Sequence, residues 1–339
     1  MGCNIKEYIM DIVNVGVVIP FYQKENGLLF NALNSIFKQK VVGVKFIITI
    51  VDDGSPIKAL SEVNELILPQ NCTLKVIEQH NQGPAAARNL ALDYLSEQNI
   101  SVVSFLDSDD CWLDFHIETA IKALCADNAD FYFSDHSRFD SEHSLFKEVG
   151  CFNDFDRACK EYNIHKEKEL AILSGEDCFS LFLKYYISQT SSVVYKFDNL
   201  KDHRFDESLL SAGEDYFLWL QLVNSSNKVV FSFKKGVYCG RGVNIFFDSF
   251  DWSKKEAASR IGYEALFYRK IYTHFNLNCN QKKIVKSNVS RLEEQYSYLL
   301  VKHVITGKGL NKGLLIKIFR TSPATLILLP LRLFNFILK

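Results

Sequence analysis

Two short β-branched runs set the rhythm of the chain. Val15-Gly16-Val17-Val18-Ile19 ends at Pro20, and Phe46-Ile47-Ile48-Thr49-Ile50-Val51 ends at Asp52-Asp53-Gly54-Ser55. Continuous apolar runs of this length, stopped by turn residues, read as buried parallel strands. Between them Leu29, Leu33, Ile36 and Phe37 recur at helical spacing, which makes the first unit strand, helix, strand. The same alternation predicts a second helix over Ile57 to Leu68 and a third strand over Thr73 to Glu78. A third helix follows over Pro84 to Gln98, with proline in its first turn, and then a fourth strand over Ile100 to Leu106. Such alternation implies a mostly parallel sheet with helices on both faces, which binds ligands at the carboxyl ends of its strands.

Beyond Asp110 the rhythm changes. The pattern predicts a helix from His116 to Cys125, a strand from Phe131 to Ser134, and a polar surface excursion from Asp140 to Lys168. Helices near Glu176 to Tyr186 and Glu214 to Val223 then alternate with strands near Ser191 to Phe197 and Lys228 to Phe233. From Ser253 onward only helical patterns occur, the longest around Ile284 to His303. The last stretch, Gly309 to Lys339, threads Lys312, Lys317, Arg320, Arg332 and Lys339 among Leu, Ile and Phe, and no uncharged piece of it reaches the roughly 20 residues a spanning helix needs. Two readings stand for it: a helix lying in the interface of an anionic membrane, or a helix packed on the α/β domain.

Composition narrows the class. At 339 residues the chain suits one α/β domain with a helical appendage. The domain expectation is an α/β region over 1–250, in two halves at about 13–112 and about 113–250, followed by a helical extension over 251–339. Against 40 acidic side chains stand 39 basic ones, a balance that argues against nucleic acid as a partner. The nine cysteines form no C-x-x-C pair, and an odd number cannot be fully bridged within one chain, so free thiols in a reducing compartment are expected. Asp11 interrupts the first apolar stretch before a secretory segment forms, and Lys6 stands where a myristoylation start wants Ser or Thr. These features make a cytoplasmic protein the expectation, and the histidines, scattered without ligand spacing, read as surface or turn residues.

Candidate chemistry concentrates directly behind the fourth strand, in Leu106-Asp107-Ser108-Asp109-Asp110. Three adjacent carboxylates repel one another, and a hard divalent cation such as Mn²⁺ or Mg²⁺ relieves that repulsion, with phosphate oxygens completing its shell. The bland alternative is a solvated acidic turn capping the next helix.

The order of motifs decides between them, because the chain resembles glycosyltransferase family 2, whose catalytic domain has the GT-A fold. VGVVIPFY (Val15 to Tyr22) is similar to the family's opening strand, IVDDGS (Ile50 to Ser55) to its second-strand acidic motif, and Asn81-Gln82-Gly83 with Ala87-Arg88-Asn89 to its N-x-G…A-R-N stretch. Asp107 to Asp110 stands as its D-x-D-D, and Phe205-Asp206-Glu207 with Gly213-Glu214-Asp215 as the region of its catalytic base. The resemblance spans about residues 13 to 245 and implies that 1–250 is the catalytic domain, with a nucleotide half at about 13–112 and an acceptor half at about 113–250, and the following roles. Pro20 and Tyr22 line the base pocket, and Asp53 accepts from the imide N–H of uracil. Arg88 approaches the base or diphosphate. Asp107 sits near the ribose or a metal-bound water, Ser108 beside it, and Asp109 binds the metal. Asp110 and Trp112 shape the donor-sugar side. Glu214 stands next to Asp215, the general base of an inverting transfer, which needs no second carboxylate because the leaving group is already anionic. Arg241 matches a loop that closes over the diphosphate, although Cys239-Gly240 precede it where an aromatic or histidine is usual. Ser191-Ser192-Val193-Val194 is similar to an acceptor-side strand.

The implied activity is transfer of a single sugar from a nucleotide-diphospho-sugar, UDP-linked by expectation, to a saccharide or lipid-diphosphate-linked acceptor in bacterial surface-polysaccharide assembly. With residues 309–339 on a membrane, the enzyme would sit peripherally on the cytosolic face of the inner membrane. The alternative is a catalytically silent sugar-nucleotide-binding or scaffold protein. Two rivals fit poorly. A haloacid-dehalogenase-type phosphatase wants its D-x-D after the first strand, and a dehydrogenase wants G-x-G-x-x-G there.

Overall fold

In the computed structural model, the described residues are 12–138, 141, 143–148, 164–165, 169–240 and 249–338. They fall into two compact units. The first comprises the chain through Phe205 together with Leu218–Val243, and the second comprises Asp206–Phe217 and Asn244–Lys339.

A single ten-stranded sheet organises the first unit. Its opening half is β1 (Val13–Phe21), α1 (Leu28–Phe37), β2 (Val44–Asp53), the short α2 (Ala59–Val63), β3 (Cys72–Gln79), α3 (Pro84–Ser96) and β4 (Val102–Phe105). β3, β2, β1 and β4 lie side by side and all parallel, as the alternation predicts. After β5 (Cys111–Trp112) and α4 (His116–Ala126), the chain continues through β6 (Phe131–Arg138), β7 (Ile164–His165), β8 (Leu170–Ser174) and α5 (Gly175–Lys184). A 3₁₀ turn at Thr190–Ser192 leads into β9 (Val193–Lys196). Then come α6 (Glu214–Ser225) and β10 (Lys228–Cys239). The full order is β3-β2-β1-β4-β9-β6-β10-β8-β7, with β5 paired to β10. β9 runs antiparallel to both its neighbours, so the sheet is mixed beyond β4.

Strand alternation sends successive side chains to opposite faces. On one face Val15, Val17, Ile19, Phe46, Ile48, Ile50, Tyr132 and Val230 pack with Leu29, Leu33 and Ile36 of α1 and Ile117 and Leu124 of α4. The other face carries α3, whose Leu95 stands over Gly16, and an aromatic cluster in which Phe131 meets Phe182 of α5 and Trp219 of α6. Helices therefore cover both faces.

Differences from the expected elements have local causes. α2 stops at Val63 rather than Leu68: of its residues only Ala59 is buried, and Ile67 is 93% exposed, so no apolar stripe rewards a longer helix. β6 and β10 run on to Arg138 and Cys239 because each gives the other a parallel ladder, interrupted by irregularities between Ser232 and Val237. Most of the expected excursion from Asp140 to Lys168 lies outside the described residues. His116, His136 and His303 are buried rather than at the surface, and burial pushes the ring of His116 down to about 3, which keeps it neutral against Trp112.

The second unit is helical: α7 (Lys255–His274), α8 (Cys279–Ile305), and three short helices, α9 (Lys312–Thr321), α10 (Pro323–Ile327) and α11 (Leu329–Ile337). Asn278 opens α8 with a reciprocal capping box to Gln281. Among the described residues no helix is long and apolar enough to cross a membrane.

Candidate active site

Four parallel strands end along one edge, and the sequence-singled motifs follow those ends. Phe21 pairs with Asp52, Asp53 with Gln79, and Val18 with Phe105, so the turn after each strand opens on the same side. Half-buried Pro20 and Tyr22 stand at the end of β1.

The two acids ending β2 divide their work. Asp52 accepts from the amides of Ser55 at 2.7 Å and Ala59 at 2.9 Å, closing its own turn. Asp53 reaches across to the N-Q-G loop. Its Oδ1 accepts from Gln79 Nε2 (2.7 Å) and the Gln82 amide (2.8 Å), and its Oδ2 accepts from the Gly83 amide (2.9 Å). Oδ2 keeps a lone pair for one further donor.

The acidic turn after β4 is held from four directions. Arg88 of α3, buried at the floor of the edge, donates to Asp107 Oδ1 at 2.7 Å, with its guanidinium carbon 5.3 Å from the centre of the Phe205 ring. Gln23, the residue after Tyr22, donates to Ser108 Oγ at 2.9 Å. The Ser191 hydroxyl accepts from the Asp107 amide (2.9 Å) and donates to Asp110 Oδ2 (2.6 Å), bridging the turn from end to end. Asp110 also accepts from Gln189 Nε2 (3.1 Å) and from the Gly240 amide (2.8 Å). Asn89, next to Arg88, pairs reciprocally with the Phe205 backbone at 3.0 and 2.8 Å.

This arrangement separates the acids. Asp110 and Trp112 are buried, and Trp112 donates its indole N–H to the Ser191 carbonyl at 2.8 Å, so both brace the turn from behind. Asp107 and Asp109 remain partly open. Burial, and then the charge of Asp107, push the Asp109 carboxyl up to about 6; burial and both neighbours push Asp110 well above the usual range. A cluster of carboxyls this reluctant to ionise is short of positive charge, which is the chemistry of a cation site. Among the described residues no three His, Cys, Asp or Glu side chains form a ready metal cage. Small hard cations bound with substrate phosphates need only one or two protein carboxylates, so Asp107 and Asp109 fit that role.

Asp215 belongs to the second unit, in the first turn of α6. Gly213 precedes it at φ +89°, and a β-carbon there would come within 2.8 Å of the Phe267 ring, so both conformation and packing require glycine. Asp215 Oδ1 accepts from the Tyr216 amide at 2.6 Å, and Glu214 and Asp215 are both half-buried where the helix N-terminus favours negative charge. Arg241 lies outside the described residues.

Sequence reasoning missed Gln23, Gln79 and Gln189, and saw Ser191 only as an acceptor-side hydroxyl. Nothing local marks them, since each acts on a residue 26 to 85 positions away.

Residues 16–189 match the model of glycosyl transferase family 2. The chain belongs to this family. It is 30% identical over 230 residues to the succinoglycan biosynthesis protein ExoW of Rhizobium meliloti, covering 68% of this chain and 70% of that one. It is 26% identical to the Escherichia coli enzyme WfgD, named as a UDP-Glc:α-D-GlcNAc-diphosphoundecaprenol β-1,3-glucosyltransferase, over 67% of this chain and 99% of that one. Among solved structures, Staphylococcus aureus TarS 1–349 with UDP-GlcNAc superposes with a TM-score of 0.52 at 18% identity, over 85% of this chain and 84% of that one. The chain spans 54% of a longer TarS chain. The mannosyltransferase PcManGT of Pyrobaculum calidifontis, solved with GDP-Man and Mn²⁺, superposes with a TM-score of 0.55 at 13% identity, over 94% of this chain and 82% of that one. These likenesses give the fold as GT-A, a mostly parallel α/β sheet with a helical C-terminal region. The protein is a glycosyltransferase.

Proposed function

We propose that this family 2 enzyme transfers a single sugar, with inversion, from a UDP-sugar to a saccharide carried on a lipid diphosphate in bacterial surface-polysaccharide synthesis. The observation that carries the reading is the acidic turn at the end of β4, braced by Arg88, Gln23, Ser191 and Gly240, with only Asp107 and Asp109 left partly open. The nucleotide half supplies the donor site. Pro20 and Tyr22 flank the base, and the free lone pair of Asp53 Oδ2 suits the N–H of uracil. Arg88, through Asp107, sets the ribose and diphosphate side, with Ser108, Asp110 and Trp112 shaping the turn beneath the donor. Arg241 remains a candidate for the diphosphate.

Asp109, with Asp107, would hold Mn²⁺ or Mg²⁺, which would neutralise charge building on the diphosphate as it leaves. Asp215, oriented by the start of α6 beside Glu214, takes the proton of the acceptor hydroxyl. The oxygen of that hydroxyl forms a bond to the anomeric carbon as the bond from that carbon to the diphosphate breaks, releasing UDP. Support for the donor comes from TarS, solved with UDP-GlcNAc, and support for the metal from PcManGT, solved with Mn²⁺. Support for a lipid-linked acceptor comes from the name of WfgD. Such an acceptor makes a peripheral position on the cytosolic face of the inner membrane part of this reading.

Radiolabelled UDP-glucose, UDP-N-acetylglucosamine and GDP-mannose, each offered with a short-chain saccharide diphosphate lipid and Mn²⁺, test it. Transfer from a UDP-sugar that chelation or Asp109→Ala abolishes is expected. Transfer that survives both would remove the metal and Asp109 from the mechanism.

A further inference from the structure

Charge is distributed unevenly along this chain. From Gln295 to Lys339 there are seven lysines and arginines and no aspartate or glutamate, which leaves 32 basic against 40 acidic side chains in the rest. A chain that is neutral in sum is therefore strongly polar along its length, and the positive end coincides with α9, α10 and α11.

Those helices are amphipathic in an unusual sense, because both their sides carry apolar residues. The inner side is satisfied. Leu314, Ile318, Ser322 and Thr325 are buried, and α9 packs against α7 while α10 and α11 pack against α8. The docking point is Glu293 of α8, itself buried. Its carboxylate accepts from Thr325 Oγ1 at 2.6 Å and from Arg269 Nε at 2.7 Å, and it is ion-paired with Arg332 of α11. Loss of one partner from a buried pair is strongly destabilising, so this carboxylate fixes the inner side of the tail to the bundle.

Among the described residues the outer side has no such partner within its unit. Ile316, Phe319, Ile327, Leu331, Phe334 and Leu338 are each more than half exposed. On an ordinary surface large apolar residues occur singly, whereas a contiguous run marks a contact with something apolar. Lys312 and Arg320 are exposed on α9; Lys308 donates to the Ser253 carbonyl, and Lys317 donates to the Ser208 carbonyl and stands 5.7 Å from the centre of the Tyr263 ring. Among the described residues of the tail, Arg332 alone is ion-paired with a carboxylate.

We infer that the outer side of α9, α10 and α11 is a preformed docking surface for an anionic phospholipid membrane. Bulky apolar side chains enter the interfacial layer while Lys312, Arg320 and their neighbours meet lipid phosphates. A second copy of the chain is a poorer occupant. A two-fold contact through this side would set Lys312 and Arg320 among the same cations of the partner, with no acidic side chain in 45 residues to answer them. The Glu293 anchor matters here because a tail already folded onto the bundle loses little conformational freedom on binding.

The inference rests on the peripheral placement proposed above but not on the transfer chemistry, and the two are measured separately. The full chain is floated with vesicles of phosphatidylcholine alone and of phosphatidylcholine mixed with phosphatidylglycerol, beside Lys312→Gln/Arg320→Gln and Phe319→Gln/Phe334→Gln. All four positions are exposed, so the variants fold, and unchanged thermal melts verify it. Flotation of the wild type only with anionic vesicles is expected, with the charge variant weakened about thirtyfold and the Phe variant also lost. Equal flotation of wild type and variants, or none by the wild type, overturns the inference. So does a concentration-dependent dimer that the Phe variant abolishes, since a second copy would then cover the surface. Sugar transfer to a soluble acceptor stays at the wild-type rate in both variants. Its loss would count against the proposed function instead.

Discussion

The Ser191 hydroxyl stands 2.6 Å from Asp110 Oδ2, joining a serine at the entry to an antiparallel strand to a carboxylate buried behind the acidic turn. The same oxygen accepts from the Asp107 amide, so one side chain fixes both ends of a four-residue turn. Ser191→Ala removes a hydrogen bond to a buried carboxyl and leaves that group short of a partner, a change worth about 1–3 kcal/mol. We expect a lowered unfolding midpoint in urea together with weaker UDP–Mn²⁺ binding by calorimetry. A destabilised variant with undiminished donor affinity would confine Ser191 to the fold.

Arg88 presents a second case in which positioning and stability are joined. Its guanidinium is buried against Asp107 and the Phe205 ring. Arg88→Met keeps the stem but leaves Asp107 without its cation, whereas Arg88→Lys restores charge without the planar fork. Loss of donor binding in the Met variant, with partial recovery in the Lys variant, is expected from titration calorimetry with UDP. Equal loss in both would mean that the fork geometry, rather than the charge, is what the turn requires.

The first half of the sheet was legible because each strand is a continuous apolar run and each helix between them shows a clear stripe, as in Leu29, Leu33 and Ile36. The acids at the strand ends were legible for the same reason, since a parallel strand must deliver its next residues to one edge. What holds those acids was not legible. Gln23 and Ser108 are 85 residues apart, Asn89 and Phe205 116 apart, and a glutamine or serine in a loop carries no periodicity that points to its partner. The compact units were also hidden: Asp206–Phe217, carrying Asp215, groups with the helical region rather than with the sheet, although in sequence it lies inside the family motifs.

The Asp109 carboxyl gives the site a pH signature. Its folded value of about 6 lies above the 3.8 of an ordinary aspartate, so between those values the folded state holds more protons than the unfolded one. Its contribution to stability is therefore fully present below about pH 4 and is lost as pH rises through about 6. Metal binding acts in the opposite sense, because the ligand must be ionised. Melting temperatures of wild type minus Asp109→Asn, without metal, should rise on acidification across that window. Mn²⁺ affinity of the wild type in the presence of UDP should fall over the same range. A difference that stays flat with pH would mean that Asp109 is ionised throughout.

Gly240 tests the close approach of β10 to the acidic turn. A β-carbon there would lie 1.9 Å from the Asp109 carbonyl oxygen, a backbone atom that cannot swing aside, while the Gly240 amide is bonded to Asp110. Gly240→Ala must push the turn away, at a cost of about 1–3 kcal/mol typical of overpacking. Reduced urea stability and weakened donor binding are expected together. Tolerance of the alanine with neither effect would show that the turn moves freely.

Asp215→Asn addresses the chemical step itself. The carboxamide nearly matches the carboxylate in shape, and its oxygen can still accept from the Tyr216 amide, so the first turn of α6 should persist. What changes is basicity: an amide cannot take the proton of an attacking hydroxyl, and general-base catalysis contributes about 10²–10⁴-fold. Because the donor residues, Asp53, Arg88, Asp107 and Asp109, are untouched, UDP-sugar affinity should stay near the wild-type value while kcat for transfer falls by that factor. Hydrolysis of the donor by water makes a useful second readout. Water also needs a base as nucleophile, so hydrolysis should fall in parallel with transfer. A variant that hydrolyses normally but no longer transfers would place Asp215 in acceptor binding, and one that transfers at more than about a tenth of the wild-type rate would assign the base to another group.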